Sequence, residues 1–249
     1  MEIPKGDLDV LTIGETLVDF ISVEETDWLR NAYTFRKYLG GSPANIAVYV
    51  AKLGGQAAVV SKTGIGAMGQ FLKAELGRAG VICDYLVMDH QVHSSVIFVS
   101  RSARTADFEA FRSGDFQLEP HEIKEEAIVR ARVIHASTWA LSREPCRSAV
   151  ESAFKMAQSQ GKIISLDPNY SPQIWPDYRE ATTVIPRFLR YATITKPSLD
   201  DAARLFGRDR SPEEYVERFH EMGPKVVVFT MGSEGVLLSE EGTLTHIAA

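Results

Sequence analysis

The sequence predicts an α/β fold in which a mostly parallel sheet is sandwiched between helices and a smaller antiparallel sheet forms a lid. Two observations lead to this prediction. Along the 249 residues, short apolar runs alternate with amphipathic helical patterns, as they do in βαβ units. Two regions instead alternate polar and apolar residues with no helix pattern between them, which is typical of half-buried antiparallel strands.

The strands of the main sheet are predicted from six short apolar runs. These runs are 9–14, 57–61, 132–137, 162–167, 191–196 and 225–230. Helical patterns lie between most of them, most clearly at 43–53, 67–79, 145–159, 179–190, 198–206 and 211–222. Because a connecting helix returns the chain in the same direction, we expect these strands to be parallel and their crossovers to be right-handed.

Four lid strands are predicted at 15–23, 33–40, 93–100 and 105–113. They come from two places in the chain, about 15–40 and 92–113, so the lid is expected to belong to a single domain of residues 1–249. Their alternation gives the lid one apolar face, with too little chain to cover both faces. Because large apolar patches usually mark interfaces, we expect a homodimer through the lid.

Charge and composition argue against several classes of partner. The formal net charge is −6 with no run of Lys or Arg, which disfavours nucleic acid and anionic membrane surfaces. No apolar run reaches membrane-spanning length, and the first residues show no secretory signal. The two cysteines have no spacing typical of a zinc site. The sequence therefore predicts a cytoplasmic protein whose partner is a small molecule, with no nucleic acid and no membrane.

The stretch GGSPANIAVYVAKLGG (40–55) predicts a helix with an unusual start. Ser42 suits the N-cap position, and the proline after it has no N–H to leave unpaired. A helix start does not need Gly40, Gly41 or the amide of Asn45. A glycine pair does let another group approach the backbone, and a helix N-terminus attracts oxygen atoms. The stretch indicates either a small-molecule site or an ordinary loop-to-helix junction.

The segment TGIGAMG (63–69) contains a literal GxGxxG, with Asp84 and Asp89 near the position of a ribose-binding acid. The segment does not belong to the first βα unit, where a dinucleotide fingerprint normally lies. In a chain with 18 glycines the pattern is weak evidence, so we assign no nicotinamide cofactor.

Polar residues and glycines follow several predicted strands, at the sheet edge where open α/β sheets bind ligands. Acids and amides together can accept from and donate to the paired hydroxyls of a sugar. The residues are Asp19, Asp167, Asn169, Ser198, Asp201, Thr230, Gly232 and Gly235.

At these positions the chain resembles the ribokinase-like (PfkB) carbohydrate kinases, in their fructokinase and 2-keto-3-deoxygluconate kinase-like branch. GGSPANIAVYVAKLGGQAAVVSKTGIGAMG is similar to the first signature of that family. Further similar stretches follow in family order over the whole chain: IGETLVDF, FEAFRSGD, HASTWALS, LDPN, TKPSLDDA and VVVFTMGSEGVLL.

The resemblance implies a three-layer α/β/α sandwich and ATP-dependent, Mg²⁺-assisted phosphorylation of a ketose or pentose hydroxyl. By the resemblance, the residues that bind the sugar would be Asp19, Gly40, Gly41, Asn45, Arg112 and Asn169. The residues that bind ATP would be Thr230, Gly232, Gly235 and Ser198, and Asp201 would organise the magnesium ion.

Several of these residues also have plainer interpretations. Ser198 suits the N-cap of the helix that follows it. Arg112 could be a solvated charge of the lid, Asn169 a turn residue, and Thr230 part of a plain strand-end turn. His135, on a predicted strand, is expected to be a core histidine rather than a catalyst.

The chain also departs from the family pattern. The Asn-x-x-Glu motif is replaced by Ser198-x-x-Asp201, and Ser171 stands where an arginine useful for sugar acids is often found. No Gly-Ala-Gly-Asp segment, which would supply the catalytic aspartate, occurs in the 249 residues. We therefore expect the base beyond Ala249, an inactive polypeptide as it stands, and an uncovered sheet flank near 226–229.

Two rival functions stay open at this point. A non-catalytic sugar- or nucleotide-binding fragment of a kinase lineage would keep the pocket without the base. A nucleoside kinase of the same fold would need an apolar base pocket, for which the sequence gives no pattern.

Overall fold

The computed structural model describes residues 3–103, 106–240 and 242–249. Its strands are β1 (Leu8–Ile13), β2 (Leu17–Glu25), β3 (Phe35–Gly40), β4 (Ala57–Gly64), β5 (Leu86–Asp89), β6 (Val96–Arg101), β7 (Phe108–Phe111), β8 (Ala131–Ser137), β9 (Ile163–Asp167), β10 (Ile194–Thr195), β11 (Val226–Thr230), β12 (Val236–Glu240) and β13 (Thr243–Ile247). Its α-helices are α1 (Ser42–Lys52), α2 (Ala67–Arg78), α3 (Glu125–Arg130), α4 (Thr138–Leu141), α5 (Cys146–Ser159), α6 (Tyr178–Leu189), α7 (Leu199–Phe206) and α8 (Pro212–Glu221).

Among the described residues, nine strands form the large sheet, in the order β13-β12-β11-β10-β9-β8-β1-β4-β5. The pairs from β11 through β5 are parallel, and only β12 and β13 run antiparallel to their neighbours. The first strand lies inside the sheet: the chain moves to one side of β1 for β4 and β5 and to the other side for β8. Such a reversal creates a crevice at the carboxyl ends of the strands, where ligands of open sheets bind. The predicted α/β fold with a mostly parallel sheet is confirmed.

The predicted helices agree with the structure to within a few residues, and three of them begin at a side-chain cap. Ser198 and Ser211 each form a capping box at the start of α7 and α8, and Asp177 caps α6. The strand predicted at 191–196 is much shorter, only Ile194–Thr195. Its first residues instead close α6, since the N–H of Tyr191 donates to the carbonyl of Phe188.

The four lid strands form a separate sheet in the order β3-β2-β6-β7. The prediction of an antiparallel lid is wrong at its centre, where β2 and β6 are parallel. A direct hairpin would impose antiparallel pairing, but a long stretch of chain that includes β4 and β5 of the main sheet separates these two strands, so either direction is sterically open. Thr105, in the predicted fourth lid strand, lies outside the described residues.

The flank expected to be uncovered near 226–229 is partly covered. Val227 and Phe229 are fully buried, and the Phe229 ring stacks on Tyr215 of α8 at 5.9 Å between centroids. Val226 and Val228, on the other face, are half-buried. The hairpin β12–β13, which the sequence analysis did not predict, extends the sheet beyond β11.

In the described part of the chain, every helix is too short or too polar to cross a membrane.

Candidate functional site

A cavity of about 200 Å³ lies where the lid covers the carboxyl ends of the central strands. Its polar lining includes Glu15, Asp19, Ser42 and Asn169, and its apolar walls include Leu17, Ile97, Phe108 and Trp139. A concave shape with apolar walls and a few polar groups is typical of small-molecule sites. The cavity brings together three of the residues predicted to bind sugar: Asp19, Gly41 and Asn169.

Asp19 enters the cavity from lid strand β2. Gly40 is the residue that makes room for it, because a Cβ at Gly40 would lie 2.2 Å from Asp19 Oδ2. The carboxylate is largely buried, and this burial raises the pKa of Asp19 to about 6. Asp19 is thus a largely buried carboxylate in the cavity wall, and Gly40 makes room for it without lining the cavity itself.

Glu15, directly after β1, is a second acid of the cavity and is 1% exposed. Its Oε1 accepts the backbone N–H of Ser42 at 3.1 Å, and Ser137 Oγ lies 2.9 Å from both carboxyl oxygens. Burial outweighs these contacts and raises the pKa of Glu15 to about 8. The backbone next to Glu15 requires a glycine at position 41, since φ is +102° there and a Cβ on Gly41 would lie 2.3 Å from the Glu15 carbonyl oxygen.

Helix α1 begins at Ser42, with Gly41 rather than Ser42 as its N-cap. The Ser42 hydroxyl is therefore free to donate to Asp167 Oδ2, at 2.9 Å. Lys196 Nζ lies 3.8 Å from the same oxygen, and burial raises the pKa of Asp167. Ser42 thus links acids at the ends of β1 and β9 across the cavity floor.

Asn169 follows Asp167 and lines the cavity with a left-handed backbone, φ +29°. Asparagine tolerates this region better than most residues. The turn interpretation and the binding interpretation of Asn169 are therefore compatible.

Asn45 and Arg112 do not line the cavity that contains Asp19. Asn45 is exposed and lines a groove between β3, α1 and α2 instead. The Arg112 side chain is 4% exposed and ion-paired with Asp115, 2.7 Å from Nη2 to Oδ2. The interpretation of Arg112 as a solvated lid charge is wrong, because this pairing buries the guanidinium behind Trp139.

A second cavity, of about 670 Å³, lies further along the same sheet edge, beyond β10 and β11. All four residues predicted to bind ATP line it: Ser198, Thr230, Gly232 and Gly235. Gly232 has φ +60°, and a Cβ added there would meet no atom within 4 Å, so its backbone is open to a ligand. The size and the open glycine turn fit a nucleotide.

Asp201 is held by the protein itself. Its Oδ2 accepts the Ser198 N–H at 3.0 Å and contacts the Ser198 hydroxyl, and its Oδ1 accepts the Tyr170 N–H at 2.9 Å. Ser198 is therefore the helix cap that its sequence context suggested as the plainer interpretation. The carboxylate that lines the second cavity is the neighbouring Asp200. Among the described residues, no group of three or more His, Cys, Asp or Glu side chains converges as a metal site.

His135 lies in the central strand β8 and is 4% exposed. Its Nδ1 is 3.0 Å from Ser165 Oγ, and burial lowers its pKa to about 4. These contacts agree with the expected core histidine.

Sequence reasoning missed Glu15, Trp139 and the role of Ser42 at the cavity. Glu15 and Trp139 lie inside stretches quoted for the family resemblance, IGETLVDF and HASTWALS. Glu15 directly follows a predicted strand, and that position is the signal that could have identified it.

The chain matches the family model of pfkB family carbohydrate kinases over residues 7–249. It is 34% identical over 232 residues to the ATP-dependent 6-phosphofructokinase of Thermoanaerobacterium thermosaccharolyticum, covering 93% of this chain and 71% of that enzyme.

Solved structures give the same relationship. The fructokinase of Halothermothrix orenii superposes with a TM-score of 0.89 at 40% identity, over 97% of this chain and 86% of that one. A Pyrococcus horikoshii sugar kinase solved in complex with ATP superposes with a TM-score of 0.85 at 26% identity, over 96% of this chain and 76% of that one.

Proposed function

Because this chain belongs to the pfkB family of carbohydrate kinases and is an ATP-dependent sugar kinase, we propose that its acceptor is an unphosphorylated ketose, with fructose as the first candidate. The named relatives include both a fructokinase and a 6-phosphofructokinase, so the choice between a free sugar and a sugar phosphate has to come from the cavity.

The observation that carries the proposal is the absence of a cation from the cavity lining. Within the described parts of the chain, no lysine or arginine lines the cavity. Asp19 lines it as an acid with a pKa of about 6, and Glu15 as an acid whose pKa of about 8 keeps it largely uncharged near neutral pH. Phosphate is normally bound by cations or by clustered backbone N–H groups. Arg112 does not supply such a cation, since Asp115 neutralises it in the protein interior. The lining therefore suits hydroxyl groups better than a phosphate.

In this proposal Asp19 and Asn169 hold sugar hydroxyls, and Phe108 and Trp139 pack against the carbon skeleton. Gly40 and Gly41 shape the backbone around Asp19 and Glu15. The Ser42–Asp167 contact fixes the floor between this cavity and the nucleotide cavity. Phosphoryl transfer depends mainly on such positioning and on charge stabilisation.

ATP, which supplies the phosphoryl group, is assigned to the second cavity, where Thr230, Gly232 and Gly235 would hold it. Magnesium usually binds through one or two carboxylates and the phosphates. Asp201 does not fit as a direct ligand, because it is 7% exposed, does not line the second cavity and is held by Ser198 and Tyr170. No step is therefore assigned to a magnesium ion at Asp201.

Asn45 and Arg112 keep a more distant role in this proposal. Asn45 could reach the sugar only after movement of the lid or α1, since it lines a different groove. Arg112 does not contact the sugar in this proposal, and it packs on Trp139, which lines the cavity.

The residues of the sugar cavity bind in this proposal and do not abstract the proton. The Gly-Ala-Gly-Asp segment does not occur in the 249 residues, so we propose that a polypeptide of these residues alone holds the sugar without measurable transfer. General acid–base catalysis contributes about 10²–10⁴-fold to such a rate. Fructose-dependent ADP release by this polypeptide, in the presence of ATP and magnesium, would contradict that part of the proposal.

We also propose that the lid forms a homodimer interface. Phe20 and Phe98 lie on the lid face opposite the sugar cavity, because their strand neighbours Asp19 and Ile97 line that cavity. Phe98 packs against Phe20, Phe35 and Phe111, with centroids 5.1, 5.2 and 5.9 Å away, and Phe111 is 53% exposed. A partly exposed aromatic cluster suits a second copy of the same face.

Calorimetric titration of fructose tests the sugar site. We expect Asp19→Asn to weaken fructose binding by at least about tenfold, because a hydrogen bond to a charged group contributes about 1.5–3 kcal/mol. Asp84→Asn, at an exposed acid of the same type, is the matched control and should bind as the parent does. Unchanged affinity in Asp19→Asn would remove Asp19 from the site, and a parent that binds no ketose would refute the proposed acceptor.

A further inference from the structure

Asp115 is a buried carboxylate that lies behind the sugar cavity rather than in it. It is 1% exposed and sits in a short 3₁₀ turn, Gly114–Phe116, shortly after lid strand β7. Burying a charge is costly unless it is well paired, and a buried ion pair is weak evidence for added stability. The hydrogen-bond partners of Asp115 therefore have to indicate its role.

The carboxylate holds the roots of two lid strands. Ser95, directly before β6, donates its hydroxyl to Asp115 Oδ1. The same Ser95 oxygen accepts the backbone N–H groups of Ser113 and Asp115, at 2.8 and 3.2 Å. Arg112, directly after β7, donates from Nε to Asp115 Oδ2 at 2.8 Å. The start of β6 and the end of β7 are thus tied to one side chain.

The same carboxylate holds a wall of the sugar cavity. Trp139, from α4 of the main layer, donates its indole N–H to Asp115 Oδ2 at 2.9 Å. The Arg112 guanidinium lies 5.2 Å from the centroid of the Trp139 ring. Arg112 Nη1 also donates to Ser142 Oγ at 2.7 Å, and that hydroxyl donates to the Trp139 carbonyl at 2.6 Å. Asp115 therefore holds the indole N–H, Arg112 packs on one face of the ring, and Ser142 holds the backbone carbonyl of Trp139.

We propose that Asp115 is a positioning residue for sugar binding: it sets the orientation of Trp139 in the cavity wall and couples that wall to the lid. The inference rests on the proposed function of the cavity. An indole fixed in this way presents a flat apolar surface to the C–H groups of a sugar, at no cost in side-chain freedom on binding. Asp115 acts through Trp139 and Arg112 and touches no ligand itself.

Asp115→Asn tests this role, because it keeps the size of the side chain and removes the charge that Arg112 and Trp139 share. Three measurements are made on the parent, on Asp115→Asn and on the exposed-acid control Asp84→Asn. They are fructose affinity by calorimetry, ATP affinity by calorimetry, and the change in tryptophan fluorescence on adding fructose. Trp139→Phe identifies the part of the fluorescence change that belongs to Trp139.

We expect Asp115→Asn to weaken fructose binding about tenfold and to reduce the Trp139 part of the fluorescence change, with ATP affinity unchanged. The control should match the parent in all three. Parent-like fructose affinity in a folded Asp115→Asn, or equal losses for fructose and ATP, would overturn the role of Asp115. If Asp115→Asn does not fold, Trp139→Phe decides, since it removes only the indole N–H contact and part of the ring. Fructose affinity within about twofold of the parent would then overturn the proposal.

The failure of this inference is separable from failure of the proposed function. Fructose binding that Asp19→Asn abolishes and Asp115→Asn leaves intact rejects only the positioning role. A parent protein that binds no fructose or other ketose rejects both.

Discussion

At the scale of single residues, the candidate site contains buried acids. A sequence pattern does not show which acids are buried or what they contact. Asp19 can be predicted because a motif surrounds it, and the structure does place it in a small cavity. Glu15 lies in the same motif and directly follows a strand, but its burial and its contacts with Ser42 and Ser137 are visible only in the structure. Asn45 lies in the same motif as Gly41, yet the orientation of α1 turns it toward another groove. Motifs locate the backbone better than they locate side chains.

Glu15 makes a prediction about stability and pH. Its pKa rises from 4.5 to about 8 on folding, so between these values the folded protein binds more protons than the unfolded chain. The protonated carboxyl therefore favours folding at low pH, and this advantage is lost as pH rises toward 8. Glu15→Gln keeps the shape of the neutral acid and should remove the dependence.

The measurement is thermal unfolding of parent and Glu15→Gln at about pH 5.5 and pH 8.5, on either side of the raised pKa. The parent should lose at least about 4 °C more in Tm than the variant over this interval, as expected for roughly 2 kcal/mol in a chain of this size. Equal losses would show that Glu15 ionises normally in the folded protein.

At the scale of elements, buried strands and capped helices of the main layer are predictable because their signals are local. The strand at 57–61 and the helix at 211–222 agree closely with β4 and α8, which a capping box begins. The direction of β6 beside β2 is not local, since it depends on the path of the intervening chain. The short β10 is also unpredictable from its apolar run, because the end of α6 takes its first residues.

The start of α1 gives a prediction with an internal control. Gly41 and Gly54 both have positive φ, +102° and +90°, but a Cβ at Gly41 would lie 2.3 Å from the Glu15 carbonyl oxygen, whereas Gly54 has open space. Gly54→Ala should cost about 1–2 kcal/mol of unfolding free energy from backbone strain alone. Gly41→Ala should cost at least about 2 kcal/mol more, because the added methyl group collides with backbone, and it should also abolish fructose binding.

Urea unfolding and fructose calorimetry on both variants separate strain from collision. Equal unfolding free energies for Gly41→Ala and Gly54→Ala would mean that the Glu15 backbone moves to accommodate the methyl group. That result would contradict a rigid cavity floor.

At the scale of the whole molecule, one sheet edge carries both cavities, and lid residues line only the smaller one. The residues assigned to ATP come together because β10 and β11 are paired in parallel and end side by side. The lid contributes Asp19 on one face and an aromatic cluster on the other. An interface between two lids would therefore also restrict the movement of the strand that carries Asp19. The assignment of residues 1–249 to a single domain stays a prediction.

The lid surface is tested by sedimentation or light scattering. We expect the parent to be a dimer at micromolar concentration and Phe111→Ser to shift it toward monomer, because the substitution removes an aromatic ring from the exposed cluster. Leu53→Ser, at a residue 88% exposed near the end of α1, is the control and should leave the mass unchanged. A monomeric parent would contradict the lid interface.

The most direct test of an unphosphorylated ketose as the acceptor is calorimetry of fructose and fructose 6-phosphate on the same protein at the same pH. A cavity lined by Glu15 and Asp19, with Arg112 neutralised by Asp115, should bind fructose at least about tenfold more tightly than its phosphate, a difference of about 1.4 kcal/mol. Tighter binding of fructose 6-phosphate, weakened in turn by Asp19→Asn, would place a phosphorylated sugar in this cavity and contradict the proposed acceptor.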